Sequence, residues 1–228
     1  MDGTATADGT PSGWPRPRAL LLDAMGTLIG LRAGVGHTYA AVAGRHGLAV
    51  EAAAIDQAFP RIYRQAPPLA FPGLTGQALE TAEVAWWSAR IAEVLAAVGA
   101  VPDPATALPP ELGPALFERF AQADLWQVYA DVPAQLEAWH RRGLKLAVVS
   151  NFDSRLTGLL EALGLAPWLD AVVVSSAAGA AKPDPLPFQQ ALARLSLDAA
   201  EVWHVGDSPE DGAGARAAGI RWIQVKRP

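Results

Sequence analysis

The chain has 228 residues, 51% of them hydrophobic and 18% charged, with a formal net charge of −5 and no cysteine. This is the make-up of a folded protein with room for one good core and a smaller appended unit. It excludes a disulfide framework, a thiol nucleophile and a Cys-ligated zinc site, and the lack of a basic stripe argues against a nucleic-acid partner.

Residues 1–17 are rich in Gly, Pro and Thr, lack the apolar core of a signal peptide and read as a flexible lead-in. No segment is apolar for the roughly 20 residues a membrane span needs, so a cytoplasmic protein with no membrane partner is expected. Ala19–Leu22 is the first predicted strand, a short apolar run ending at Asp23. Residues 33–124 differ, with Ala and Leu at helical spacing broken at Pro67-Pro68, Pro72-Gly73 and Pro102–Pro104. They predict four or five inserted helices. Beyond them, apolar runs at Leu144–Val149, Ala171–Val174, Val202–Val205 and Arg221–Val225 predict four more strands. Helical patterns fall at Pro133–Arg142 and Ser154–Leu163, stopped by Gly143 and Gly164, and at Phe188–Leu195 and Gly212–Ala218. This alternation predicts an α/β fold, a doubly wound parallel sheet with right-handed crossovers. Residues 18–32 and 125–228 form its core domain, and 33–124 an α-helical cap inserted over the site.

Four loops follow predicted strands, and in a parallel sheet such loops converge on the carboxyl edge. They carry Asp23–Thr27, Ser150-Asn151, Lys182-Pro183-Asp184-Pro185 and Gly206-Asp207-Ser208-Pro209-Glu210-Asp211. Each also has a plainer reading. Asp23 can cap a turn, Ser150 a helix start, Lys182 can be a solvated loop residue, and Asp207 and Asp211 can complement a helix dipole. Together they assemble a carboxylate, a hydroxyl with an amide, an ammonium and a second carboxylate pair.

Taken in order, the four motifs resemble the haloacid dehalogenase-like hydrolases with a helical cap after the first motif. SNFDSRL at Ser150–Leu156 and SSAAGAAKPDPLPFQQAL at Ser175–Leu192 look like the REG-2-like branch. The resemblance implies phosphoryl transfer from a small phosphorylated metabolite to Asp23, aided by Thr27, Ser150 and Lys182. Gly26 and Asn151 would serve substrate binding, Gly26 by letting backbone N–H groups approach the phosphate. The implied cofactor is Mg²⁺, held by Asp23, the Met25 carbonyl and Asp207, with Asp211 a water-mediated or orienting ligand.

Met25 departs from the family pattern, in which a second aspartate protonates the leaving group and activates water. A thioether does neither, and losing such acid–base help costs about 10²–10⁴ in rate. Weak phosphatase activity is therefore expected. The alternatives are a non-catalytic phospho-ligand-binding relative and, with less support, a dehalogenase-type hydrolase. His204 reads as a satisfied core residue, His37 as a candidate to reach the cleft, and Trp86, Trp87 and Trp126 as packing residues. Arg61, Arg64 and Arg90 are candidate cap contacts to substrate. Oligomeric state is left open.

Overall fold

The computed structural model describes residues 16–227, so residues 1–15 of the predicted lead-in lie outside the described residues. In chain order come β1 (Ala19–Leu22), β2 (Ile29–Leu31), α1 (Val35–Arg45), α2 (Ala52–Gln65), α3 (Gly76–Ala97) and α4 (Leu112–Arg119). Then follow β3 (Trp126–Val128), α5 (Val132–Arg141), β4 (Lys145–Ser150), α6 (Arg155–Ala162), β5 (Ala171–Val174) and α7 (Ser175–Ala178). The chain continues through α8 (Leu186–Leu195), β6 (Val202–Gly206), α9 (Pro209–Ala217) and β7 (Arg221–Gln224).

Five strands form one parallel sheet in the order β5-β4-β1-β6-β7. Central β1 is buried along its whole length, which is why it reads as a continuous apolar run. Alternation sends Leu20 and Leu22 to one face, with Leu136, Leu146, Val148, Leu156 and Leu159 of the α5 and α6 side. Leu21 goes to the other, with Ala147, Val149, Phe188, Ala191 and Ala215 of the α8 and α9 side. Helices on both faces make the fold doubly wound, as the alternation predicts.

Strand order reverses at β1, where Leu22 lies opposite Val148 of β4 and Val205 of β6. Asp23 extends the ladder by donating its N–H to Val205 O at 2.9 Å. The loops after β1, β4 and β6 therefore open at one edge of the sheet, the topological switch point at which such folds bind ligands.

Element ends shift slightly from expectation. Leu144 closes the last turn of α5 by donating to Trp139 O, so β4 begins at Lys145. Helix α9 begins at Pro209 rather than Gly212 because Ser208 caps it and Pro209 suits a first helical position. The antiparallel pair β2–β3 was not anticipated; it brackets the helical insertion, with Ile29 opposite Val128 and Leu31 opposite Trp126. Helices α1–α4 bury a cluster of their own around Tyr39, Ile55, Ile91, Leu95, Leu112 and Leu116.

A polar seam joins the insertion to the sheet domain. Glu83 on α3, fully buried, accepts hydrogen bonds from Ser154 N (2.9 Å) and Ser154 Oγ. Trp87, four residues on and thus on the same helix face, donates to Asp153 Oδ2 at 2.7 Å. Nearby, Ser175 Oγ donates to Leu69 O and Phe71 N to Ser176 O. Removing Glu83 leaves two donors of Ser154 without their acceptor, at a cost of about 1–3 kcal/mol. The Glu83→Ala variant is thus expected to unfold at lower urea concentration than the wild type; an unchanged midpoint would show that this contact holds nothing.

Candidate active site

Asp23 is 5% exposed and Lys182 is 5% exposed, and the two form an ion pair of 2.6 Å through Asp23 Oδ1. Burying an ammonium is costly unless every proton has an acceptor. Here Lys182 Nζ donates to Asp23 Oδ1 and Asp211 Oδ1, each at 2.6 Å, and to Val149 O at 3.0 Å. Burial opposes its charge, but Asp23 and Asp211 outweigh it and hold the Lys182 pKa above its ordinary value. Ser150 Oγ donates to the same Asp23 Oδ1 at 3.1 Å, and Ser154, not Ser150, precedes α6. Both donors fall on one carboxylate oxygen, and Asp23 Oδ2 takes neither.

Asn151 fixes the lysine's loop. Its Nδ2 donates to Lys182 O at 2.9 Å, and Lys182 N donates to its Oδ1 at 2.7 Å. Asn151, expected to serve substrate binding, instead spends its amide on orienting this loop.

Gly26 has φ +82°, and a Cβ there would stand 2.5 Å from Asp207 Oδ2. The turn therefore needs glycine twice over, for its positive φ and to admit the aspartate. Thr27 Oγ1 donates to Asp207 Oδ1 at 3.3 Å. Burial and then the negative charge of Asp23 push the Asp207 carboxyl above its ordinary pKa. Asp211 is differently placed. Its Oδ1 lies 2.6 Å from Lys182 Nζ and 2.8 Å from His204 Nε2, and its Oδ2 accepts from Ser208 N and Ser208 Oγ at the α9 cap. Burial alone would raise its pKa. The hydrogen bond from His204 and the charge of Lys182 prevail and hold it well below the usual carboxylate range.

Asp23, Asp207 and Asp211 each offer an oxygen within 4.8 Å of the others. Three carboxylates share one lysine, and burial followed by the charge of Asp23 raises the Asp207 pKa. An all-oxygen donor set with excess negative charge fits a hard divalent cation. Because protein donors already occupy both Asp211 oxygens, Asp23 and Asp207 are the better direct ligands, with Asp211 orienting.

The site opens into a cleft of about 760 Å³ between the sheet edge and the insertion. Met25 is 42% exposed and lines it, as do Tyr63, Trp86, Trp87 and Trp126. The tryptophans thus border the cleft besides packing helices. Arg64 also lines it, whereas Arg61, Arg90 and His37 do not.

Three functional contacts escape sequence reasoning. His204 is fully buried, as expected, yet it also bonds Asp211. Arg155 borders the cleft and grips Asp153 through Nε (2.7 Å) and Nη2 (2.6 Å). Arg227 donates from Nη2 to Thr27 O at 2.6 Å, pinning the Asp23 turn. The one available signal was the Asp153–Arg155 pairing within SNFDSR; Arg227 lies 200 residues from its partner.

A family model described as haloacid dehalogenase-like hydrolase matches residues 17–219. Haloacid dehalogenase-like hydrolase domain-containing protein 3 of Bos taurus is 40% identical over 213 residues, covering 92% of this chain and 82% of that protein. A phosphoglycolate phosphatase of Cupriavidus necator is 43% identical over 97 residues, 42% of each chain. Among solved structures, CbbY from Rhodobacter sphaeroides in complex with phosphate superposes with a TM-score of 0.66 at 18% identity, covering 92% of this chain and 87% of that one. That last likeness speaks for the fold alone.

The charge network fixes the acid–base limits of stability. The lowered Asp211 pKa stabilises the fold above the ordinary carboxylate value of about 3.9, and this is lost as pH falls through the folded value. The raised Lys182 pKa stabilises it below about 10.4, and this is lost as pH rises through the folded value. Urea midpoints of the metal-free protein are expected to be level between these limits and to fall on the acid side. Asp211→Asn is expected to flatten that acid-side fall and to lower stability at neutral pH by about 3–5 kcal/mol; an unchanged acid-side fall in the variant would remove Asp211 from the account.

Proposed function

The chain belongs to the haloacid dehalogenase-like hydrolases, and on that premise we propose that it is a Mg²⁺-dependent phosphatase acting on a small phosphorylated molecule through Asp23. The observation that carries this reading is the Asp23 carboxylate, with Lys182 and Ser150 on one oxygen and Asp207 beside it. The phosphoglycolate phosphatase relative supports the same reaction class.

A carboxylate is a weak nucleophile and must be oriented. Lys182 and Ser150 hold Asp23 Oδ1, so Oδ2 is the oxygen assigned to attack phosphorus. The bond to the leaving oxygen breaks, giving an aspartyl-phosphate that water then hydrolyses. Lys182 offsets negative charge on the transferring group; the N–H groups of Gly26, Thr27 and Leu28, expected to approach the phosphate, are instead bonded within their own turn to Ile29 O and Ala24 O. Asp23, Asp207 and the Met25 main-chain carbonyl would hold Mg²⁺, whose charge neutralises phosphoryl oxygens when bound. Residues 33–124 act as the cap, closing the cleft against bulk water.

Met25 stands where an acid and base would serve, so both protonation of the leaving group and activation of water go unassisted. The same residue favours a second reading, a relative that binds a phosphorylated ligand with negligible turnover. One experiment separates them: phosphate release from a panel of phosphomonoesters, with Mg²⁺ or with EDTA. Slow release that EDTA and Asp23→Asn each abolish is expected; release undiminished in Asp23→Asn would refute the nucleophile. Restoring the carboxylate in Met25→Asp is expected to raise turnover, by up to about 10²–10⁴. A folded, metal-binding but inert Met25→Asp variant would favour the ligand-binding relative.

A further inference from the structure

The leaving group can be narrowed by reading the cleft beside Met25, on the footing of the phosphatase assignment above. Among the described residues that line the cleft there is no histidine. Its carboxylates are Asp23, Asp207 and Glu210, of which the first two are the nucleophile and proposed metal ligand, and Glu210 is solvent-exposed at the start of α9. An alkoxide leaving unprotonated from a group with a pKa near that of water, about 15.7, has no donor here. A phenolate does not need one, since its parent acid has a pKa of about 10.

The walls make an independent case. Tyr63 stacks on Phe59 at 5.8 Å and on Trp87 at 6.0 Å between ring centroids, with interplanar angles of 11° and 16°. Trp86 meets Trp87 edge-on at 4.9 Å. Tyr63 is nonetheless 40% exposed, and it lines the same cleft as Asp23, Trp86 and Trp87. A second anionic group on the substrate, such as a carboxylate, finds little to hold it. Lys182 has committed its protons, and Arg155 is tied to Asp153 with its guanidinium 3.7 Å from the Phe117 ring centroid. Arg64 is exposed to solvent. The volume, about 760 Å³, suits a small molecule rather than a bare phosphate.

We propose that the substrate is the phosphate monoester of a small phenol, its ring against Tyr63, Trp86 and Trp87 and its phosphoryl group at Asp23. Asp23 Oδ2 attacks phosphorus, the bond to the aryl oxygen breaks, and the electron pair leaves on a phenolate that takes its proton from solvent.

The test compares phenyl phosphate with methyl phosphate in the full chain with Mg²⁺, and phenylphosphonate with methylphosphonate as non-hydrolysable binding probes. Phenyl phosphate is expected to exceed methyl phosphate in kcat/KM by about 10²-fold or more. Phenylphosphonate is expected to bind about tenfold tighter than methylphosphonate, the worth of one good aromatic contact. Across substituted phenyl phosphates the rate should rise as the phenol becomes more acidic, and Met25→Asp should flatten that dependence. Equal kcat/KM for the two esters, both abolished by Asp23→Asn, would overturn the aryl assignment and leave the phosphatase standing. Release from neither ester in an Asp23-dependent manner would instead sink the phosphatase reading, and the aryl assignment with it. Equal binding of the two phosphonates would overturn the aromatic seat whatever the turnover.

Discussion

A single buried ammonium organises this molecule's functional edge. Lys182 binds Asp23 beyond β1, Asp211 on α9 and the Val149 carbonyl of β4, with no proton left over. An unpaired charge at that depth would not be tolerated, and a pair lacking one partner would be worse than none. The set is therefore stable only complete, and its completeness constrains what surrounds it. Asp23 must sit one residue beyond Leu22, where β1 lies in register with both neighbours. Asp211 must stand at the first turn of α9, where the Ser208 cap fixes its rotamer. The Asn151 amide must hold the loop from which the lysine comes.

What the ammonium does not neutralise is as informative. Asp207 is partly desolvated by burial and, with one positive charge against three carboxylates, also repelled by Asp23, so its pKa is raised rather than lowered. Asp211, with two hydrogen-bond donors on each oxygen, goes the other way. Two aspartates four residues apart thus part company on environment alone: one is saturated and serves to position, the other is under-compensated and available to a cation. The Gly26 turn maintains the distinction, because any side chain there would drive Asp207 away.

The sheet and its functional loops were legible because each depends on short-range pattern. Buried parallel strands are short apolar runs, and their following loops must share an edge, so Asp23, Ser150, Lys182 and Asp207 could be grouped before any geometry was known. The strands β2 and β3 were not legible, since three residues each carry no period and their pairing spans the whole insertion. His204 was legible as a core residue because it lies within the apolar run that forms β6, and it is fully buried. Its bond to Asp211 depends on where α9 lands, which no spacing within β6 encodes. Arg227 is the extreme case, a contact to Thr27 O that joins the two ends of the described chain.

One segment does two jobs, and that couples the insertion to the chemistry. Ser150 and Asn151 orient the nucleophile and the lysine's loop, while Asp153, Ser154 and Arg155, the next residues along, receive Trp87, Glu83 and Phe117 of the insertion. Asp153 is fully buried and its charge is answered by Arg155, so this junction cannot loosen without exposing a charge pair that the fold has desolvated. Any movement of α3 relative to the sheet is then felt within five residues at Ser150. The seating of the aromatic wall and the aim of Asp23 are linked by a stretch too short, and too fully hydrogen-bonded, to absorb the motion. On the proposed reading, a ligand pressed against Tyr63 and Trp87 would act through that stretch on Asp23.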